Sequence, residues 1–346
     1  MKKLYTLLFV ALTGISFGQV ALYEDFNYTV PGFVGGNTNT TDATGSNNWS
    51  THSNSQIGTI DVISGNLTYP GLANSNGNKI LLPGNNTTVP RDINRGFTTT
   101  ATTIYYSFLL NIVDNTQLTA TISGTNNYFI SLGGTTGTSV SSLFGRVAAT
   151  TTNSGANFRL SISNTSTGTL TYTENPVDLN FGTTYLVVVK YDRSAAPTVA
   201  TMWVNPSNLG GTEPTSTITN NSGTAAVTAF ASVAIRNASA TPKAEIDEIR
   251  VGETWASVTP EAPASTNSNS ISGLTMYPNP LKGNTLFITS TANAEMNVKI
   301  YNVLGKEVLS TKVNNTSVDV SNLASGVYIV KVTEEGKTAT RKLVIQ

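Results

Sequence analysis

Short stretches rich in β-branched and aromatic residues recur between residues 104 and 251, separated by Thr, Asn, Ser and Gly. None of them sustains the three-to-four-residue apolar spacing of a helix. Strand side chains alternate between two faces, whereas a helix gathers every third or fourth residue into one stripe, so the two patterns exclude each other. Phe158-Arg159-Leu160-Ser161-Ile162-Ser163 sets Phe158, Leu160 and Ile162 on one face and Arg159 and Ser161 on the other. Ile104 to Val113 is too β-branched and aromatic for a helix and ends in an Asp/Asn cluster. Tyr185 to Tyr191 is apolar on both faces, the pattern of a central strand covered on both sides. Val199 to Val204 closes on Asn205-Pro206, and Val227 to Ile235 and Glu245 to Val251 supply two more strands. The expected fold is all-β, an antiparallel sandwich.

The chain has no cysteine, so neither a disulfide framework nor a lipid-modified cysteine anchor is available. Hydrophobic cores, backbone ladders or a metal must hold it together. Only 12% of residues are charged, a composition suited to an extracellular β protein. The net charge of +0 hides a split. Residues 20–262 carry 10 basic and 15 acidic side chains, a net of −5, and residues 263–346 carry 8 and 5, a net of +3. A region at −5 lacks the clustered Lys and Arg that nucleic acid requires.

Lys2 and Lys3 precede an apolar run from Leu4 to Ile15 and the small residues Ser16 and Gly18. This is the anatomy of a secretory signal peptide over residues 1–18, cut between Gly18 and Gln19. The run falls short of the roughly 20 apolar residues of a spanning helix, and no later stretch is long enough to cross a membrane. Residues 260–273, opening on Pro260-Glu261-Ala262-Pro263, are small, polar and proline-marked, and read as a flexible linker. Residues 19–259 then form one large sandwich with a substantial core.

Beyond the linker stand Met276-Tyr277-Pro278-Asn279-Pro280, then Tyr301-Asn302-Val303-Leu304-Gly305-Lys306-Glu307-Val308 and Leu323-Ala324-Ser325-Gly326-Val327-Tyr328-Ile329-Val330-Lys331-Val332. The chain ends on Arg341-Lys342-Leu343-Val344-Ile345-Gln346. Residues 274–346 resemble the type A C-terminal sorting domain of the type IX secretion system found in Bacteroidetes. The resemblance implies a small immunoglobulin-like sandwich of about seven strands. It also implies recognition by the type IX secretion machinery at the outer membrane, and a protein released or attached to the cell surface. By the same resemblance, Pro278, Asn279, Pro280, Gly305, Gly326, Tyr328 and Lys342 carry the sorting signal, although Pro and Gly also serve as plain turn-formers. Val298, Ile300, Val303, Val327, Ile329 and Val332 are its expected apolar positions.

An opening Glu24-Asp25-Phe26-Asn27-Tyr28, a central Tyr185–Tyr191 with Met202-Trp203-Val204-Asn205-Pro206, and a closing Ile246-Asp247-Glu248-Ile249-Arg250-Val251-Gly252 resemble the concanavalin/laminin-G-like jelly rolls. In that fold the first and last strands lie side by side. Ile246 and Ile249 are three apart, which calls for a bulge or for one of them facing away from the core.

The catalytic inventory is thin. His52 is the only histidine, and no serine sits in a nucleophile-elbow sequence. A zinc site would need more His or Cys ligands than the chain holds. Glu245-Ile246-Asp247-Glu248-Ile249-Arg250 begins like the carboxylate strand of jelly-roll glycosidases, but Arg250 stands where the second catalytic glutamate belongs. An arginine does not give up its proton near neutral pH.

If the end strands are neighbours, Glu24, Asp25, Asp247 and Glu248 converge as ligands of a structural calcium ion, which takes six to eight oxygens. Sugar recognition needs an aromatic plane with Asn, Asp or Arg beside it. Trp49 flanked by Asn48, with Arg91 and Asp92 from a following loop and Arg95 beyond, has that profile. The competing role for Trp49 is a packed anchor, and Trp203 and Trp255 are expected in the core. Carbohydrate binding or adhesion is therefore the leading expectation. A jelly-roll glycan hydrolase and a purely structural matrix component are the alternatives.

Overall fold

The computed structural model describes residues 20–35, 49–52, 59–84, 91–122, 127–216, 218–262, 271–314 and 317–346. The expected signal peptide, Asn48, the Arg91 side chain and residues 263–270 of the linker lie outside the described parts. The chain divides into two compact units, Met1–Ala262 and Pro263–Gln346.

In the first unit β1 (Val20–Glu24), β2 (Gly32–Val34), β3 (Trp49–Thr51), β4 (Ile60–Ile63) and β5 (Lys79–Pro83) come first. β6 (Arg91–Gly96), β7 (Thr103–Ile112), β8 (Tyr128–Gly133), β9 (Phe144–Thr152), β10 (Asn157–Ser163) and β11 (Thr173–Glu174) follow. β12 (Tyr185–Asp192), β13 (Val199–Val204), β14 (Ile218–Asn220), β15 (Ser232–Asn237), β16 (Lys243–Gly252) and the one-turn helix α1 (Trp255–Val258) complete it. A nine-stranded sheet runs β14-β13-β12-β7-β16-β5-β4-β2, with β1 also on β16, and a seven-stranded sheet runs β11-β10-β9-β8-β15-β6-β3. Neighbouring strands are antiparallel, as in the β12–β7 and β15–β6 ladders. The two inner faces share one core that includes Phe108, Phe129, Phe144, Phe158, Tyr191 and Ile235. Each such side chain, fully buried, contributes about 1.5–3 kcal/mol.

The alternation read from Phe158–Ser163 holds, with Phe158, Leu160 and Ile162 all in that core. β12 is covered on both faces: Val187 and Val189 point inward, while Leu186 and Val188 join Trp203, Trp255 and Val258 in a second cluster under α1. The strand expected from Val227 starts only at Ser232. Phe230 reaches the core from the preceding loop, which is why the segment looked continuous in sequence.

β1 and β16 pair, with Leu22 opposite Val251 and Glu24 opposite Ile249, so the first and last strands are neighbours. The β16–β7 ladder shifts register between Asp247 and Arg250, and Glu248 sits there at φ 53. This bulge returns both Ile246 and Ile249 to the core at 0% exposure. It also divides one edge of β16 between two partners, β5 at Lys243–Ile246 and β1 at Ile249–Gly252. Pro260 and Ala262 remain on this unit, through Ala73 N–H to Pro260 O at 2.8 Å and Ala262 N–H to Gly71 O at 2.8 Å.

The second unit contains β17 (Thr275–Tyr277), β18 (Thr285–Thr289), β19 (Met296–Asn302), β20 (Glu307–Val313), β21 (Ser317–Asp319), β22 (Gly326–Glu334) and β23 (Lys337–Ile345). They form a three-stranded sheet, β17-β18-β21, and a four-stranded sheet, β20-β19-β22-β23. Leu286, Ile288, Val298, Ile300, Val330, Val332 and Leu343 fill the core between them. Three of the expected apolar positions are corrected here. Val303, Val327 and Ile329 are 74%, 41% and 40% exposed. On β22 the inward phase is Tyr328, Val330 and Val332, and period-two geometry turns 327 and 329 away.

Candidate functional site

Trp49 is not a surface platform. It lies on β3 with its side chain inward at 0% exposure, its ring 6.0 Å from that of Phe26. Its Nε1–H donates to Glu24 Oε2 at 2.8 Å. A residue read as loop is a three-residue strand, and Trp49, opposite Arg95, takes the inward phase. Arg95 likewise turns in and ion-pairs with Glu24, so neither meets a ligand at the surface. Of the expected sugar-site residues only Asp92 reaches the outer face of the seven-stranded sheet, with Oδ2 3.8 Å from Arg236 Nε.

That outer face is built differently from the expectation. Val233 and Ile235 of β15 and Val147 and Ala149 of β9 belong to the core. By alternation Ala234, Arg236, Arg146 and Ala148 face outward. Register places Ser131 beside Ala234, Tyr128 beside Ala148, and Ala148 beside Ser161. The centre of the face is therefore paved with Ala and Ser, and four long side chains gather over it. The guanidinium carbons of Arg146 and Arg236 lie 5.0 and 4.7 Å from the centre of the Tyr128 ring. Tyr172 is close enough to both arginines and to Tyr128 for their charges to bear on its ionisation. Burial pushes its phenol up to about 12, so it stays neutral. Burial also draws the Arg146 guanidinium down, and Arg236 beside it acts in the same direction.

The same face holds Ser131 Oγ, Thr150 Oγ1, Ser161 Oγ, Arg146 Nε and Tyr172 Oη, all buried without a hydrogen-bond partner. Buried polar atoms are nearly always partnered, and an unmet one costs about 1–3 kcal/mol. Arg146 Nη1 donates to Thr165 O at 2.7 Å, while Nε is buried without a partner. Access is from the Arg236 and Asp92 side, where the side chains are 21% and 17% exposed. At that margin Asn94 Nδ2 lies 3.2 Å from His52 Nδ1 and donates to Gly137 O at 2.8 Å. Burial lowers the His52 pKa.

The four expected calcium ligands do not form one site. Glu24 accepts from Phe26 N–H at 2.8 Å, Tyr28 O–H at 2.7 Å, Trp49 and Arg95, which leaves no oxygen for an ion. Glu248 accepts from Tyr23 O–H at 2.9 Å and is ion-paired to Arg250. Asp247 is different: fully buried, it accepts only from the N–H groups of Leu67 and Glu248, each at 2.8 Å. Burial, with Glu248 and Asp25 nearby, pushes its carboxyl up to about 8. Asn66 Oδ1, in the segment that meets Asp247, is buried and without a partner. Oxygen donors of this kind suit a hard cation. Among the described residues no three His, Cys, Asp or Glu side chains converge as a metal-holding group. Of the expected glycosidase carboxylates, Glu245 is ion-paired to Lys79 at 3.0 Å and Asp247 is fully buried.

In the tail, Asn279 Nδ2 donates to Lys342 O at 2.7 Å, and Asn279 Oδ1 accepts from Val344 N–H at 3.0 Å. The segment Pro278-Asn279-Pro280 is thereby fastened to β23. Gly305 has φ +78 in the β19–β20 hairpin. Tyr328 O–H donates to Ala324 O at 2.8 Å. Gly326 has no such constraint, since an added Cβ meets nothing nearer than 3.7 Å.

Residues 275–346 match the family model of the secretion system C-terminal sorting domain. The tail is a type IX sorting domain. No curated protein matches the chain. The sandwich is similar to solved structures at low identity. One is the endo-β-1,4-glucuronan lyase from the fungus Trichoderma reesei, with TM-score 0.40, 10% identity, and coverage of 71% of this chain and 100% of that one. A legume lectin-like domain from Entamoeba histolytica gives TM-score 0.34 and 8% identity over 60% of this chain and 90% of that one. The exoplasmic/lumenal domain of VIP36, in its Ca2+/Man2-bound form, gives 0.34 and 10% over 66% and 95%. None of these bears on the chemistry of the present chain. Among the described residues no helix is long and apolar enough to cross a membrane.

Proposed function

We propose that this is an exported carbohydrate-binding or adhesion protein, secreted or held on the exterior of the outer membrane. The folded tail is read by the type IX machinery, and Pro278, Asn279, Pro280, Gly305, Gly326, Tyr328 and Lys342 carry that recognition. The sandwich holds a saccharide against the outer face of its seven-stranded sheet. One observation carries the binding part: five buried polar atoms without partners gather on a single face, paved with small residues and overhung by Tyr128, Tyr172, Arg146 and Arg236. Sugar hydroxyls are the donors and acceptors that would satisfy them, and a tyrosine ring offers a plane for a sugar's C–H face. The hydrolase alternative has less support, because Glu245 is ion-paired to Lys79 and Asp247 is fully buried. A glycan array probed with the mature chain from Gln19 tests the proposal. Retention of at least one saccharide class supports it, and silence across the array removes it.

Calcium enters the proposal in narrower form, with Asp247, Asp25 and Asn66 Oδ1 as the oxygens that would hold it. Its contribution would be to neutralise the buried carboxylate and to tie β16 to the 66–67 segment. Glu24 has no part in it.

A further inference from the structure

Resting on the saccharide-binding proposal, we infer that the sugar this face selects is anionic, its charged group seated at Arg146 and Arg236 beside Tyr128. The first argument is charge. Arg146 is 7% exposed, and among the described residues no carboxylate stands within ion-pairing distance of it. A buried cation without an anion is strongly unfavourable, and a charge-assisted bond to a ligand oxygen is about twice as strong as a neutral one. Arg236 brings a second guanidinium to the same tyrosine ring, with Asp92 Oδ2 3.8 Å from its Nε. Arg146, Arg236 and Asp92 together sum to one positive charge.

The second argument is geometric. Arg146 spends Nη1 on Thr165 O, and its Nε is buried without a partner, so a ligand oxygen that displaced the covering side chains would satisfy that edge of the planar fork. Tyr172 Oη, also unpaired, lies in the same cluster. A neutral sugar would satisfy Ser131, Thr150 and Ser161 but leave Arg146 without an anion. The unit's net charge of −5 does not oppose this. At physiological ionic strength charges beyond about 8 Å are largely screened, so the two guanidiniums at the site outweigh distant carboxylates.

The shared ligand chemistry is a negatively charged sugar residue, whether a uronate or a sulfate ester, and the test separates the two. Binding of the mature chain to polygalacturonate, to a sulfated galactan and to the neutral glucan laminarin is measured by calorimetry in low and moderate salt. Arg146→Gln and Arg236→Gln are measured alongside, with Lys79→Gln as a control on the other sheet. Circular dichroism and melting curves establish that each variant is folded; Arg236, partly exposed, keeps the test decisive should Arg146→Gln not fold. We expect one of the two acidic polymers to bind at least about tenfold more tightly than laminarin. Added salt should weaken that binding, folded Arg→Gln variants should lose about tenfold or more, and Lys79→Gln should lose nothing. Laminarin bound as tightly as the better-bound acidic polymer, or a folded Arg236→Gln with unchanged affinity, overturns the inference and leaves the saccharide proposal standing. Failure of every polymer and of the glycan array overturns both.

Discussion

Trp49 shows how far one side chain's meaning depends on its phase in a strand. In sequence it stands in polar surroundings and looks like a ligand platform. In the fold it closes the core over Phe26 and completes the hydrogen bonding of a buried glutamate. Trp49→Phe keeps an aromatic ring but removes part of the indole volume and one donor to a charged acceptor, so it should cost at least about 1.5–3 kcal/mol, read as a lower denaturation midpoint. Glycan binding by the folded variant should be unchanged; a selective loss of binding would return Trp49 to the ligand site. The arginines that matter were hidden for a different reason. Arg146 and Arg236 are 90 positions apart (236 − 146), and only the placing of β9 and β15 on either side of β8 brings them to Tyr128. Their one trace in sequence is a single charge in each of two otherwise uncharged strands.

Strands and turns were more legible than sites, because alternation and turn chemistry are local. The unequal spacing of Ile246 and Ile249 announced the bulge, yet its use in dividing β16 between β5 and β1 required the ladders themselves. In the tail, a count of apolar residues misplaced Val327 and Ile329 where strict parity would have sorted them correctly. Turn glycines separate by the same local logic. At φ +78 an L-residue at 305 suffers steric conflict worth about 1–2 kcal/mol, whereas residue 326 has ordinary dihedrals and open space. Gly305→Ala should therefore lower the melting temperature of the tail measurably, and Gly326→Ala should stay within about 0.5 kcal/mol of the parent. Equal melting temperatures for the two would contradict this assignment. If Gly326→Ala nevertheless reduces export, the residue serves recognition rather than folding.

At the scale of the molecule, the two units have separate cores, and the proposed function gives them separate tasks. The binding unit's stability is expected to respond to calcium through Asp247, the buried carboxylate without a cationic partner. Calcium should raise the melting temperature of the mature chain, chelator should reverse the rise, and a folded Asp247→Ala should show neither; a parent indifferent to calcium removes the ion from the account. The tail was legible because its motifs are contiguous, and the ligand face was not, because it is assembled from strands distant in sequence. The division of labour is tested most directly by expressing the full chain and a version ending at Ala262 in a host with type IX secretion, and measuring the fraction of each outside the outer membrane. The account predicts that the full chain is found outside and the shortened one is retained in the periplasm, folded. Equal fractions outside would contradict it.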